Sequence, residues 1–169
     1  FTLDLVGYKY KLNFSNKWDF KSGYQPSLLQ KMHLHYMDYL KDLNEFEGSK
    51  VIIDWILKVR PYSEKYWSYS WNSYSLSIRV VNWVDFLTLN SKNINNEDLR
   101  IIKDSIYYQV KFLFHNLELD IRGNHLIKNI RCLFRVSSLN INKESMKWFL
   151  KASYLLDKEL DHQIMDDGM

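Results

Sequence analysis

The sequence predicts an all-α protein built from antiparallel helical hairpins, and three observations support this fold class. Apolar residues recur at steps of three and four over most of the chain. The longest such stripe contains Leu99, Ile102, Ile106, Val110, Leu113 and Leu117. Only five Gly and two Pro occur in 169 residues, so helix breakers are few. Short polar segments separate the stripes, and helices joined in this way pack as hairpins. The pattern alone leaves a bundle, a solenoid and a toroid open.

The first 24 residues alternate briefly between apolar and polar positions and contain scattered Gly and Asn, without a helical stripe. We expect them to form an extended or irregular lead-in. Pro26 is suited to the first turn of a helix, and the helix that it opens is predicted to end near Gly48. Ser49 is then predicted to cap a second helix that stops before Pro61.

The remaining helices follow from the same periodicity. Residues 62–74 are rich in Ser, Trp and Tyr and have no clean period, so they are predicted to form a structured loop. A third helix is expected over Leu76–Leu89. The fourth carries the longest stripe and is predicted to end at Gly123, and Asn124 begins the fifth. The last helix is predicted over residues 143–165.

The ends of the sequence predict that the domain is incomplete. Residue 1 is Phe rather than Met, and the final residues resemble a turn. We therefore expect a single truncated domain over residues 1–169, with the lead-in in residues 1–24 and helical hairpins in residues 25–169. A domain cut in this way exposes apolar faces, which predicts association or poor solubility of the isolated chain.

The composition favours a globular protein that binds an anionic or sugar ligand. Aromatic residues make up 16% of the chain, and sugar-binding clefts use such rings, although packing between helices explains any single ring equally well. Residues 49–140 carry thirteen Lys and Arg against eight Asp and Glu. This balance favours an anionic partner but lacks the clustered basic stripe of a nucleic-acid binder.

Several common functional classes lack their motifs in this sequence. There is no phosphate-binding Gly loop, no paired Cys, no HExxH and no Gly-x-Ser-x-Gly, so no cofactor or metal is predicted. The single Cys132 lies in an apolar run and is expected to be a buried, unreactive thiol. No apolar run approaches the length of about 20 residues that a membrane span requires.

The most informative segment places an amide and an imidazole side by side after a Gly, at Gly123-Asn124-His125. A helix N-terminus, an Asn amide and an imidazole together can recognise an anion. Asn is also a favoured capping residue, so a purely structural role remains open from these residues alone.

Four segments extend this signal in a fixed order. The central one reads Leu117-Glu118-x-x-Ile121-x-Gly123-Asn124-His125-Leu126-Ile127-x-Asn129. The segments before it are Leu34-His35-Tyr36 and Tyr74-x-x-x-x-Arg79-x-x-Asn82-Trp83, and the one after it is Leu160-x-x-Gln163-Ile164-x-x-Asp167-Gly168. From about residue 28 to the end, the chain thus resembles the heparinase II/III family of polysaccharide lyases.

The resemblance implies an incomplete (α/α) toroid, followed in the whole protein by further helices and antiparallel β-sheet domains. It implies a periplasmic or secreted bacterial lyase that cleaves uronate-containing polysaccharides by β-elimination. Asn124 would neutralise the uronate carboxylate, and the adjacent His125 would assist. The acid/base Tyr of the family lies beyond Gly168, so the chain alone is expected to be inactive. Heparan and other glycosaminoglycans, alginate and bacterial surface polysaccharides all remain candidate substrates.

Further residues are candidates for substrate binding. Arg79 could bind a uronate or sulfate through two hydrogen bonds, or form a structural ion pair. His35 either lines the cleft or lies in the core, and Gln163 is expected beside the cleft. Trp67, Trp71 and Tyr74 are candidate stacking platforms in the irregular loop, whereas Tyr36, Trp55 and Trp148 are expected in the core.

Two other functions remain as alternatives. A non-catalytic carbohydrate-binding or scaffold domain would keep the helices and lack the downstream Tyr. A nucleic-acid binder would show a steep salt dependence, and the scattered Lys and Arg argue against it.

Overall fold

The computed structural model describes residues 2–14, 18–20 and 23–163, and within these residues the fold is all-α apart from one β-hairpin. The predicted fold class is therefore confirmed. The helices are α1 (Leu28–Tyr36), α2 (Glu45–Lys58), α3 (Tyr66–Tyr69), α4 (Ser73–Asn90), α5 (Asn96–His115), α6 (Gly123–Ser137) and α7 (Lys143–Gln163). A 3₁₀ helix, Asp38–Asp42, connects α1 to α2.

The lead-in contains regular structure over its first residues. Strands β1 (Thr2–Leu5) and β2 (Tyr8–Lys11) pair antiparallel around a turn at Val6 and Gly7, whose φ values are 54° and 78°. Two positive φ values in succession match the twist of a two-residue hairpin. One face of the hairpin joins the helical core, because Leu3, Leu5 and Tyr10 are buried there.

The single helix predicted from Pro26 to Gly48 is wrong, because the chain breaks it into three pieces. The first piece, α1, is capped by Ser27, whose hydroxyl accepts a hydrogen bond from the backbone of Gln30 at 3.2 Å. It ends at Met37, whose φ of 57° and ψ of 33° are left-handed and cannot continue a helix. The 3₁₀ helix that follows keeps Tyr39 buried, so the apolar stripe continues although the α-helix does not.

The start of α2 also differs from the prediction. Asn44 caps the helix by accepting a hydrogen bond from the backbone of Glu47 at 2.9 Å. Ser49, predicted as the cap, lies inside α2 and donates its hydroxyl proton to the carbonyl of Glu45 at 2.8 Å.

Two further boundaries are set by Asn side chains. Asn72 caps α4, which therefore begins at Ser73, within the segment predicted as a loop. The fourth predicted helix ends at His115 rather than at Gly123, and Asn116 follows it with its amide bound to the carbonyl of Phe112. This early end frees residues 116–122 to turn back towards α4 and α6.

Helix α4 lies at the centre of the fold. It packs against α1, α2, α5, α6 and the 3₁₀ helix, while α6 also packs against α7 across a short connection, as expected for a hairpin. The largest buried rings, Trp55 and Trp83, meet edge to face at 5.5 Å in this core. Trp55, Trp148 and Tyr36 are buried, as predicted.

Candidate active site

The predicted site lies at the first turn of α6, where the backbone takes an uncommon path. Gly123, the first residue of the helix, has a φ of 52°, which glycine adopts at little cost. Arg122 before it has a φ of 57° and a ψ of −157°, a region that residues with a Cβ rarely occupy. The sharp entry into α6 lifts the next residue, Asn124, onto the surface.

A carboxylate from α7 holds this entry in place. Glu159, only 3% exposed, receives two hydrogen bonds from the Arg122 guanidinium, at 2.8 Å from Nε and 2.7 Å from Nη2. Its other oxygen accepts the backbone N–H of Gly123 at 3.2 Å. The carboxylate therefore compensates one free N–H group of the helix start and stabilises the strained Arg122 backbone.

His125 is held on two sides. Its Nδ1 lies 3.1 Å from Oε1 of Glu118, which sits in the turn before α6, and its side chain remains 40% exposed. The ring of Tyr74, half-buried near the start of α4, packs against the imidazole with 4.4 Å between centroids. Because a carboxylate only accepts, Nδ1 carries the proton and the neutral ring presents Nε2 as an acceptor.

Asn124 differs from its neighbours because its amide is uncommitted. It is exposed, and its side chain makes no hydrogen bond with the parts of the chain that the structure describes. An amide that can donate two hydrogen bonds next to an oriented imidazole is suited to a carboxylate ligand. The structure thus brings together three of the predicted site residues, Asn124, His125 and Tyr74.

Arg79, by contrast, is fully buried and cannot contact a polysaccharide in this arrangement. Its guanidinium lies 4.1 Å from the ring centroid of Trp55 and donates to Gln109 Oε1 at 2.8 Å and to the carbonyl of Ser70 at 2.7 Å. Burial lowers the pKa of Arg79 to about 9, so the group stays charged at neutral pH. Arg79 does not form the alternative structural ion pair either, because no carboxylate of residues 2–14, 18–20 and 23–163 contacts its guanidinium.

His35 is also a core residue, 1% exposed. Its Nδ1 accepts the indole N–H of Trp55 at 3.0 Å. Burial lowers the pKa of His35 to about 3, and the charge of Arg79 adds to the effect. Nε2 of His35 and Nη2 of Arg79 have no hydrogen-bond partner among the described residues.

The early and middle segments of the resemblance bind each other. The carbonyls at the end of α1 receive hydrogen bonds from α4, at 3.4 Å from Arg79 to His35 and at 2.8 Å from Asn82 to Tyr36. One residue further along each segment, the indole of Trp83 donates to the sulfur of Met37 at 2.9 Å. These residues tie α1 to α4, since the last carbonyls of a helix lack partners within it.

The remaining candidates for substrate binding differ in how exposed they are. Trp71 is buried, donates its indole N–H to Val59 at 3.2 Å, and packs on Phe112, so it is not a free stacking platform. Trp67 is 60% exposed and keeps an open face. Gln163 ends α7, and its side chain lies outside the described residues, as does the segment after it.

Two polar residues beside the site were not selected from the sequence as functional. Glu118 and Asn129 both belong to the central motif, and their place in that motif is the sequence signal that could have identified them. Asn129 is fully buried and binds Glu118, which in turn binds His125. No sequence pattern pointed to Glu159 as a neighbour of the site, because it lies 36 positions from Gly123 and on another helix.

One large cavity lies away from this site. It has a volume of about 510 Å³ and is lined by residues such as Leu87, Val136 and Trp148, towards the opposite ends of α4 and α6. Asn124 and His125 instead lie on an open surface, which suits an extended polymer better than a small enclosed ligand.

No metal or membrane feature accompanies the site in the described part of the chain. Those residues contain no group of three or more His, Cys, Asp or Glu arranged to hold a metal ion. None of their helices is both long and apolar enough to cross a bilayer.

Comparison with known proteins identifies the family. Residues 29–169 match the family model described as Heparinase II/III N-terminus. Neither the curated proteins nor the solved structures gave a match. The family match covers most of the chain, including every segment on which the resemblance rests, and the chain therefore belongs to the heparinase II/III N-terminal family.

Proposed function

We propose that this chain is part of a polysaccharide lyase that cleaves uronate-containing polysaccharides by β-elimination, with Asn124 and His125 acting on the uronate carboxylate. Membership of the family supports a polysaccharide lyase as the parent protein. The observation that carries the assignment is the exposed, unpaired amide of Asn124 beside an imidazole whose orientation is fixed by Glu118.

β-Elimination makes three demands on an enzyme. The proton at C5 of the uronate is weakly acidic, so the carboxylate must be neutralised as negative charge develops on it. A base must remove the proton, and an acid must protonate the departing glycosidic oxygen. Donors aimed at the developing charge provide the first function.

Asn124 and His125 are suited to the first of these demands. The amide of Asn124 can donate hydrogen bonds to one carboxylate oxygen, and His125, when protonated, can donate from Nε2 to the same group. With Nε2 unprotonated, the imidazole accepts a proton instead. The positive charge of residues 49–140 favours approach of an acidic polymer.

The acid that protonates the leaving oxygen is assigned to a Tyr elsewhere in the parent protein, as the family resemblance implies. Tyr74 is the aromatic residue nearest to His125, and it contacts the imidazole face rather than a free edge of the site. We assign it to packing and sugar contact, and not to proton transfer.

The test is an ultraviolet assay for the unsaturated uronate product, using the full-length protein on heparan, alginate and other uronate polysaccharides. Asn124→Ala should lower kcat by about 10²-fold or more if its amide stabilises the developing charge. Asn96→Ala is the matched control, because Asn96 is an exposed Asn in the first turn of α5.

Equal activity of Asn124→Ala and Asn96→Ala would refute the role of Asn124. Absence of product on every polysaccharide, with binding retained, would replace the lyase proposal with a non-catalytic carbohydrate-binding domain.

A further inference from the structure

A buried amide lies behind the candidate site and fixes its geometry. Asn129, on α6, is fully buried, and its Nδ2 donates one hydrogen bond to Oγ of Ser77 at 3.0 Å, with the carbonyl of Ser73 farther away at 3.3 Å. Its Oδ1 accepts the backbone N–H of Glu118 at 3.0 Å. Both ends of the amide are therefore committed to α4 and to the turn before α6, and a buried amide so satisfied has one orientation.

The same amide also reaches the side chain of Glu118. Nδ2 of Asn129 lies 3.1 Å from Oε2 of Glu118, whose side chain is 13% exposed. The other oxygen, Oε1, faces Nδ1 of His125 at 3.1 Å. Glu118 is thus held at both oxygens, by a buried donor on one side and by the imidazole on the other.

The arrangement determines which nitrogen of His125 can react. A carboxylate accepts hydrogen bonds and donates none, so Nδ1 must carry the proton. Tyr74 packs against the ring face and opposes rotation of the imidazole. In its neutral form His125 then presents Nε2 without a proton, and this nitrogen is the one available to a ligand.

We propose that Asn129 and Glu118 are positioning residues for His125: buried Asn129 fixes the Glu118 carboxylate, and the carboxylate holds the proton of neutral His125 on Nδ1. Nε2 then faces the uronate, where it accepts a proton or, once the ring is protonated, donates to the uronate carboxylate. The role towards the uronate rests on the proposed function, whereas the control of the tautomer does not. Partners of this kind, one contact removed from the reacting group, commonly change activity by about 10- to 100-fold when replaced.

The opposing possibility is that Glu118 and Asn129 only anchor the turn of residues 116–122. Both possibilities predict some loss of stability when the residues are replaced, so stability cannot distinguish them. The tautomer of His125 can, because anchoring of the backbone places no requirement on the imidazole proton.

The main experiment is ¹⁵N NMR of protein labelled at His, with the His125 signals assigned by comparison with His125→Gln. Glu118→Gln should reverse the tautomer. The side-chain oxygen of the introduced Gln must face the Asn129 donor, so its NH₂ group faces Nδ1 of His125. Because Nδ1 then has to accept a hydrogen bond, the proton of the neutral His125 ring lies on Nε2. Asp120→Asn is the matched control, because Asp120 is an exposed acid in the same turn. An unchanged Nδ1–H form in Glu118→Gln would overturn the proposal.

Asn129→Ala supplies a second test of the relay, the chain of contacts that runs from Asn129 through Glu118 to His125. After circular dichroism confirms folding, His125 should show a mixture of the two tautomers, because Glu118 has lost its buried donor. A single Nδ1–H form in this variant would remove Asn129 from the proposal.

Activity then tests the link to catalysis separately. With a substrate identified, Glu118→Gln should lower kcat by about 10- to 100-fold with little change in KM, while Asp120→Asn matches the wild type. A reversed tautomer without any lyase activity in the wild type would refute the proposed function and leave the positioning relay intact. If Glu118→Gln reverses the tautomer and leaves kcat unchanged, the relay sets the tautomer of the free protein only, and its proposed role in the reaction is wrong.

Discussion

The buried imidazole of His35 predicts a specific loss of stability in mild acid. Burial lowers the pKa of His35 from 6.5 to about 3. In the native protein Nδ1 is already occupied as the acceptor for Trp55, so protonation there would also break that hydrogen bond. Between these two pKa values the unfolded chain takes up a proton at His35 that the folded chain does not.

The sign and size of the effect follow from this difference. Stability rises with pH wherever the unfolded state binds more protons, so the contribution of neutral His35 is complete above pH 6.5 and is lost as the pH falls towards 3. At about 1.4 kcal/mol per pH unit below the unfolded pKa, the loss between pH 7 and pH 5 is about 2 kcal/mol.

The assay is urea unfolding, followed by Trp fluorescence, of the wild type and of His35→Gln at pH 7 and pH 5. Gln keeps an acceptor for Trp55 and removes the titrating group. We expect the wild type to lose about 2 kcal/mol more than His35→Gln between the two pH values. His162→Gln is the control, because His162 is exposed, and it should behave as the wild type. Equal pH dependence of the wild type and His35→Gln would refute the reasoning.

Three further predictions concern the entry to α6 and the core. Glu159→Gln should destabilise the protein by about 2 kcal/mol, because its hydrogen bonds to Arg122 lose their charge assistance. The same variant should speed hydrogen exchange at the start of α6, and unchanged exchange there would show that Glu159 does not stabilise this helix start. Gly123→Ala should cost about 1 to 2 kcal/mol in thermal unfolding, because its φ is 52° while no atom lies within 4 Å of an added Cβ, so the cost is conformational; an unchanged Tm would argue against this backbone. Cys132 should resist thiol reagents in the native protein and react only on unfolding, because burial raises its pKa to about 12; rapid labelling at pH 8 without denaturant would show that the core opens.

The apolar periodicity predicted the existence of the long helices, but not all of their ends. The stripe from Asn96 to His115 is regular, and the helix is present there. The break at Met37 could not be predicted, because nothing in a Met residue favours a left-handed backbone; the tertiary contacts of α1 with α4 stabilise it. The cap at Asn44 was readable from residue type, and was missed because Ser49 follows a Gly.

The position of the candidate site could be predicted because Gly123-Asn124-His125 is contiguous in sequence. The contacts behind it could be predicted only in part. Asn129 lies one helical turn from His125 on α6 and belongs with Glu118 to the central motif, but periodicity does not show that the turn before α6 brings Glu118 between them. The burial of Arg79 was equally inaccessible to sequence. Its place between two apolar residues fits a buried cation stacked on Trp55 as well as an exposed ligand, and only the packing of α4 decides.

The measurement that tests the central claim most directly is mass spectrometry of the products formed by the full-length protein from a uronate polysaccharide. β-Elimination leaves a product end lighter by one water than hydrolysis does, because the new end carries a double bond. We predict the lighter product with the wild type and with Asn96→Ala, and its near absence with Asn124→Ala. Saturated ends, or equal yields of the unsaturated product from Asn124→Ala and Asn96→Ala, would contradict the account.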